Sequence, residues 1–229
     1  MKLYELAFTS HIYDTMTNYN ADYLNFLERS KPGFDMGKQE HRRELINWLN
    51  QWGCRQFALA YHDHACEELL DWYKGNCARL VPGDKPLWEL TVEDIEVIPE
   101  VYDSLAERIA SKKKDGRIAR FGPTGASKIL FALRPLAMIP WDIPIRTKLN
   151  SCGDGYSYVE YLVKALRKIE SLMTSCQSHN IEVEDVPKVL GRNGATVAQM
   201  VGEYFWVTLT RECIPPPVEV AERWLKWSK

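Results

Sequence analysis

The chain has 229 residues, 45% hydrophobic and 26% charged; this is the balance of a folded protein with a core, in one domain or two small lobes, and it excludes a disordered chain. No run nears the roughly 18 consecutive apolar residues of a membrane span, and the first twenty residues lack an apolar stretch followed by a small-residue cleavage site, so the expected compartment is the cytosol. A formal net charge of −2 conceals an asymmetry: residues 111–150 hold nine bases and two acids, a formal +7, which leaves −9 for the rest.

In chain order, residues 20–30 read as a short helix closed by Lys31, Pro32 and Gly33. Residues 37–53 read as a longer one, with Leu45, Trp48, Leu49 and Trp52 on one face and Gly53 past its end. A third helix starts at a capping Asp63 and stops at Gly75. Residues 78–98, which hold two prolines and a glycine, are the expected hinge between two lobes, residues 1–85 with the C-terminal helices and residues 99–180. The helix starting near Pro99 carries Val101, Tyr102, Leu105, Ile109 and Ala110 on one face and runs to the lysines at 112–114, its solvated, dipole-complementing end. A long amphipathic helix follows over 156–180, further helix over 182–213, and a terminal helical segment over 218–229. Strict alternation is nowhere convincing, so the expected fold is all-α.

Six cysteines (Cys54, Cys66, Cys77, Cys152, Cys176 and Cys213) contain no C-x-x-C pair, so reduced thiols are expected, with no metal centre and no cofactor. His62, His64 and Cys66 have no fourth ligand nearby and read as a helix start with a buried thiol. The glycines of "GRNGATVAQM" precede a helix without the Lys-Ser/Thr of a phosphate loop and read as a turn, with a phosphate contact as the alternative. Eight tryptophans and eleven tyrosines either line a stacking pocket or pack helices together.

The densest signal is "FGPTGASKILFALRPLAMIPWDIPIR", residues 121–146. Together with "KKKDGRIAR" before it, the stretch reads as helix, short turn, helix. Gly122 and Gly125 permit close approach, and the N–H groups at the start of the second helix suit a DNA phosphate. Such a clustered basic tract, with Arg120, Lys128, Arg134, Arg146 and Lys148 around two turns, is what phosphate binding requires. Asp142, followed by Ile143 and Pro144, has the order of an N-cap. The same carboxylate, at a helix mouth among bases, stays ionised and is able to stabilise a cationic sugar.

These residues resemble the helix-hairpin-helix DNA glycosylase superfamily, the group of endonuclease III and the adenine glycosylases. Its motif runs Leu-Pro-Gly-Val-Gly, two residues, Thr-Ala, an apolar helix, then Pro, two residues and a catalytic Asp. Placing Ala126 on the motif alanine puts Asp142 on that aspartate without a gap. The similarity covers residues 115–150; residues 40–75 also resemble an 8-oxoguanine-glycosylase-like bacterial branch. It implies two helical lobes with a cleft between them, double-stranded DNA as partner, and a monomer associated with the nucleoid. It further implies base flipping, with Asp142 catalytic, Trp141 a pocket wall, and Gly122, Thr124, Gly125, Lys128, Arg120 and Arg146 on the DNA. Arg55 and Gln56 fall where the superfamily fills the gap left by the extruded base. The lysine that bifunctional members carry on the hairpin is replaced by Thr124, which implies a monofunctional enzyme with Lys128 on a phosphate. Arg120 replaces the first motif glycine, and the iron–sulfur cysteines of endonuclease III are missing, since Cys213 stands alone. The implied activity is excision of a damaged or modified base, in repair or in defence against phages with modified DNA. The competing expectation is a non-catalytic DNA-binding protein in which Asp142 only caps its helix.

Overall fold

The computed structural model describes residues 1–113, 115–220 and 223; Lys114 of the basic tract, and residues 221–222 and 224–229 of the expected terminal helix, lie outside the described residues. Four helices open the chain: α1 (Leu3–Met16), α2 (Tyr19–Arg29), α3 (Gln39–Gln51) and α4 (His62–Asn76). The apolar face expected on α3 is real: Leu45, Trp48, Leu49 and Trp52 are all buried, with Trp48 against Tyr23 and Phe26 of α2. Gly53 then takes φ +83°, the left-handed conformation that ends such a helix at no side-chain cost. α1 has no comparable stripe. Its buried residues are Leu6, Thr9, Ser10 and Tyr13, and Thr9 satisfies its hydroxyl on the Glu5 carbonyl at 3.0 Å.

After α5 (Val92–Glu96) and α6 (Ile98–Ala106), the chain departs from expectation. The helix drawn from Pro99 to the lysines stops at Ala106, and Ile109 and Ala110 belong instead to β1 (Ile109–Lys112), paired antiparallel with β2 (Ile118–Arg120). Asp115-Gly116 is the cause. Gly116 sits at φ +86°, its N–H reaches the Lys113 carbonyl at 2.9 Å, and Lys113 N–H reaches the Arg117 carbonyl at 2.8 Å, closing a tight hairpin. Tertiary bonds hold the ribbon down: Ser111 Oγ donates to the Gln56 carbonyl at 2.6 Å, and Arg108 pairs with Glu68 at 2.7 Å. Lys112 and Lys113 thus lie at the end of the ribbon, not of a helix, and the expected helix, turn, helix is strand, turn, strand, helix. Among the described residues the molecule is mostly helical with one two-stranded ribbon.

Then come α7 (Gly122–Leu133), α8 (Ile143–Lys148), α9 (Gly155–Gln177), α10 (Val186–Val189) and α11 (Val197–Phe205), which ends in a wide π-type turn, Trp206–Thr210. α6 packs on both α7 and α9, and α1 on α11. Buried side chains from Leu6 to Phe205 join in one core cluster. None of the described helices is long and apolar enough to cross a membrane.

Candidate active site

Asp142 is placed by a chain of hydrogen bonds beginning several residues earlier. Tyr158 and Tyr161, one turn apart on α9, donate their hydroxyls to the carbonyls of Ile139 (3.0 Å) and Pro140 (3.2 Å). Trp141 N–H donates to Ser127 Oγ of α7 at 3.2 Å, and the Trp141 indole N–H to Tyr102 Oη at 3.0 Å. With both sides of the segment held, Asp142 takes an extended backbone and opens α8, its Oδ1 accepting Ile145 N–H at 2.9 Å. Gly202 lets α11 come in behind: a Cβ there would lie 3.0 Å from Ile139 Cγ2.

The half-buried carboxylate faces a cavity of about 510 Å³, shared with Gly122, Pro123 and Thr124 at the mouth of α7. That volume falls within the usual range of small-molecule sites. No hydrogen bond to Asp142 Oδ2 occurs among the described residues. Arg146, one turn along α8, lies over the Trp141 ring at 5.8 Å and donates to Thr124 Oγ1 at 3.3 Å. Burial lowers its pKa, while Tyr102 and Asp142 act in the opposite direction. Its room depends on Gly153, at φ +86°, where a Cβ would sit 2.6 Å from an Arg146 nitrogen.

Other residues singled out in the sequence fall in different places. Gln56 lines the cavity and donates to the Phe121 carbonyl at 2.7 Å, whereas Arg55 is exposed and lies outside it. Gly125 is buried under Gln56, where a Cβ would meet the amide nitrogen at 3.0 Å. Arg120 is at the rim, 3.0 Å from Glu107. Lys128 corrects the expectation of a phosphate contact: it is 7% exposed, lines the cavity, donates to the Trp52 carbonyl and lies 5.6 Å from the Trp52 ring centroid. It neighbours Cys54, whose thiol burial pushes up while Lys128 pulls the other way. The basic tract is similarly divided. Arg117 pairs with Asp115 and Lys148 with Glu212, and the half-buried Arg134 bonds the carbonyls of Val81 and Leu133.

No family model, curated protein or solved structure matches the chain.

Further walls of the cavity come from residues not expected at the site. Tyr13, Tyr19, Trp52 and Trp206 form an aromatic side, with Tyr13 edge-on to Trp206 at 5.2 Å and Tyr19 5.9 Å from Trp52. Trp141, expected as a wall, is among the lining residues but only 1% exposed, stacked on Tyr161 at 5.4 Å and held from the core. Gln199, Gly202, Glu203 and Trp206 recur at helical spacing along α11 and its π-type extension and present one stripe to the cavity. Glu203 is 3% exposed, with Arg192 bidentate on it at 2.7 and 2.9 Å; burial still outweighs Arg192 and raises the carboxyl to about 7. Arg192 belongs to "GRNGATVAQM", so that segment delivers a buried cation to an acid, not a phosphate contact. The i, i+3, i+4, i+7 spacing of 199, 202, 203 and 206 was the one signal in the sequence that would have pointed to this stripe.

Proposed function

We propose that the chain is a monofunctional DNA N-glycosylase that excises a damaged or modified base and leaves an abasic site. One observation carries the reading: a half-buried carboxylate at a helix start faces a 510 Å³ aromatic-sided cavity beside the glycine-rich mouth of α7. Duplex DNA approaches the α7 mouth and the lysine-tipped ribbon, with the halves of the chain on either side of the cleft. One nucleotide is extruded into the cavity, where its base stacks on Trp52 and Trp206. The C1′–N bond then breaks, the electron pair leaving with the base, and Asp142 stabilises the positive charge that develops on the sugar. Water oriented by the carboxylate adds its oxygen to C1′ and loses a proton to solvent. Lys128, whose Nζ donates to the Trp52 carbonyl, serves the cavity as a fixed hydrogen-bond donor and not as a nucleophile.

The experiment is base release, read as alkali-labile sites and by mass spectrometry of liberated bases, from DNAs with damaged or modified bases, glucosylated phage DNA included. Wild-type chain should release a base and Asp142→Asn should not, with DNA binding retained. The 2.9 Å cap bond of Asp142 favours the second reading, a non-catalytic DNA-binding protein. In that case neither chain releases a base.

A further inference from the structure

Tyr102, on α6, is 0% exposed, and its ring stacks on Tyr158 at 4.6 Å. Phenylalanine would pack there as well, and a hydroxyl so deep in a core is tolerated only where it is hydrogen-bonded. Its partners come from three separate parts of the chain. Oη donates to the carbonyl of Pro123, at the mouth of α7, at 2.9 Å, and lies 3.4 Å from the carbonyl of Gly153, in the turn between α8 and α9. It accepts the indole N–H of Trp141, the residue before Asp142, at 3.0 Å. That N–H also lies 3.3 Å from the Pro123 carbonyl. Burial pushes the pKa of Tyr102 up, so the hydroxyl keeps its one proton, and Pro123 and Gly153 compete for it. The same Gly153 leaves room for Arg146, which returns to the mouth of α7 at Thr124.

We infer that Tyr102 is a positioning residue that ties contact at the α7 mouth to the placing of Asp142. The inference rests on the base-release reading and adds to it how the site is regulated: DNA seated against Pro123 and Thr124 sets the carboxylate. Displacement of the Pro123 carbonyl alters two bonds together, because the hydroxyl proton has Gly153 as its alternative and the indole N–H is shared between Tyr102 and Pro123. Either change moves Trp141, and Asp142 is the next residue, on extended backbone. Ser127 links the Thr124 carbonyl to the Trp141 amide within α7 itself, and Tyr102 adds a link that also takes in the turn at Gly153. A misplacement of about 1 Å at a catalytic group costs up to about a hundred-fold in rate. With Ser127 still in place, loss of the Tyr102 hydroxyl is expected to cost about ten-fold.

The test uses the intact chain and a duplex carrying a base that it releases. Tyr102→Phe keeps the ring and removes the hydroxyl. Single-turnover release at saturating DNA should fall about ten-fold, while the Kd for the duplex stays within two-fold. Ser104→Ala, on the same helix, removes the hydroxyl that accepts the Trp72 indole N–H at 2.9 Å. It is the control for stability and should lower Tm while leaving the rate unchanged. A second measurement needs no chemistry. The assigned Trp141 indole N–H resonance of the wild-type chain should shift when unmodified duplex is added, and that shift should be lost in Tyr102→Phe. A Tyr102→Phe rate within two-fold of wild type, an equal loss in Ser104→Ala, or a Trp141 resonance unmoved by duplex overturns the inference. Where Tyr102→Phe does not fold, the wild-type resonance decides. The two readings fail separately: base release alongside any of those results leaves the glycosylase and removes Tyr102's role, whereas a Tyr102-dependent shift of Trp141 without base release does the reverse.

Discussion

Asp142 has two tasks in the structure, capping α8 and facing the cavity, and two substitutions separate them. Asparagine is as good an N-cap as aspartate, so Asp142→Asn keeps an oxygen for Ile145 N–H and should change stability by only a few tenths of a kcal/mol. Asp142→Ala removes the cap and should cost about 1 kcal/mol, or about 2–4 °C in Tm for a chain of this length. The chemical cost is larger and common to both. A carboxylate about 4 Å from a developing sugar cation, at an effective dielectric near 20, is worth about 4 kcal/mol, close to a thousand-fold in rate. Single-turnover base release gives the rate and thermal unfolding gives the cap. The expected pattern is Asn near wild type in Tm with about a thousand-fold loss of rate, and Ala low in both. A rate that follows Tm, Asn near wild type in both, would refute a chemical role and leave Asp142 as a cap.

Three further outcomes follow from neighbouring geometry. Borohydride added during turnover should trap no protein–DNA adduct; a trapped adduct abolished by Lys128→Met would show that the buried amine attacks the sugar and that the enzyme is a lyase. Glu203 has a folded pKa of about 7 against an ordinary 4.5, so the folded state holds its proton more tightly than the unfolded chain. Stability from this group is therefore highest at acid pH, falls by about 3 kcal/mol as pH rises from 4.5 to 7, and is flat above. Urea unfolding at pH 4.5 and 7.5 should show that fall in wild type and not in Glu203→Gln, and an equal fall in both would be evidence against it. Gly153→Ala combines a left-handed backbone with a Cβ 2.6 Å from Arg146 and should cost about 1–3 kcal/mol. In an Arg146→Ala background part of that cost should vanish, and strict additivity would mean that the contact does not matter.

The helical class and the position of Asp142 at a helix start were legible because each depends on residues close in sequence: the Leu45-Trp48-Leu49-Trp52 stripe, and Asp142 followed by Ile143 and Pro144. The ribbon was misread although Asp115-Gly116 marks a hairpin, because Ile109 and Ala110 also continue the apolar face of α6, and a run of four or five residues does not separate the two periods. α1 carries no apolar stripe in the sequence, because two of its four buried positions are Thr9, whose hydroxyl bonds the Glu5 carbonyl, and Ser10, whose partner Arg192 lies far along the chain. The same distance hid the cavity: Tyr13, Trp52, Asp142 and Trp206 converge only after α1 packs on α11 and α8 on the turn that follows it. Lys128 was assigned to a phosphate because charge in sequence says nothing of direction, and α7 turns that side chain inward.

The distribution of polar groups around the cavity distinguishes its two sides. On the Asp142 side each buried donor and acceptor that positions the carboxylate finds a partner in the protein: Tyr158 and Tyr161 on carbonyls, Ser127 on the Trp141 amide, the Trp141 indole on Tyr102. On the α11 side, Arg192, Glu203, Gln199 and Asn20 form a buried ionic network that ends in an unpaired oxygen. For stability alone, well-packed apolar side chains of the same volume would serve at least as well, since desolvating such a network offsets much of its Coulombic gain. Burial has also driven Glu203 to about 7, a sign that the fold bears a cost there. A network that contributes little to folding holds the α11 wall of the cavity in one arrangement. The Asp142 side, satisfied throughout apart from a carboxylate oxygen and the Arg146 Nε, fits the holding of a single charge in place. Such a division between a wall held rigid and a carboxylate held in place is compatible with the proposed cleavage of a base from its sugar.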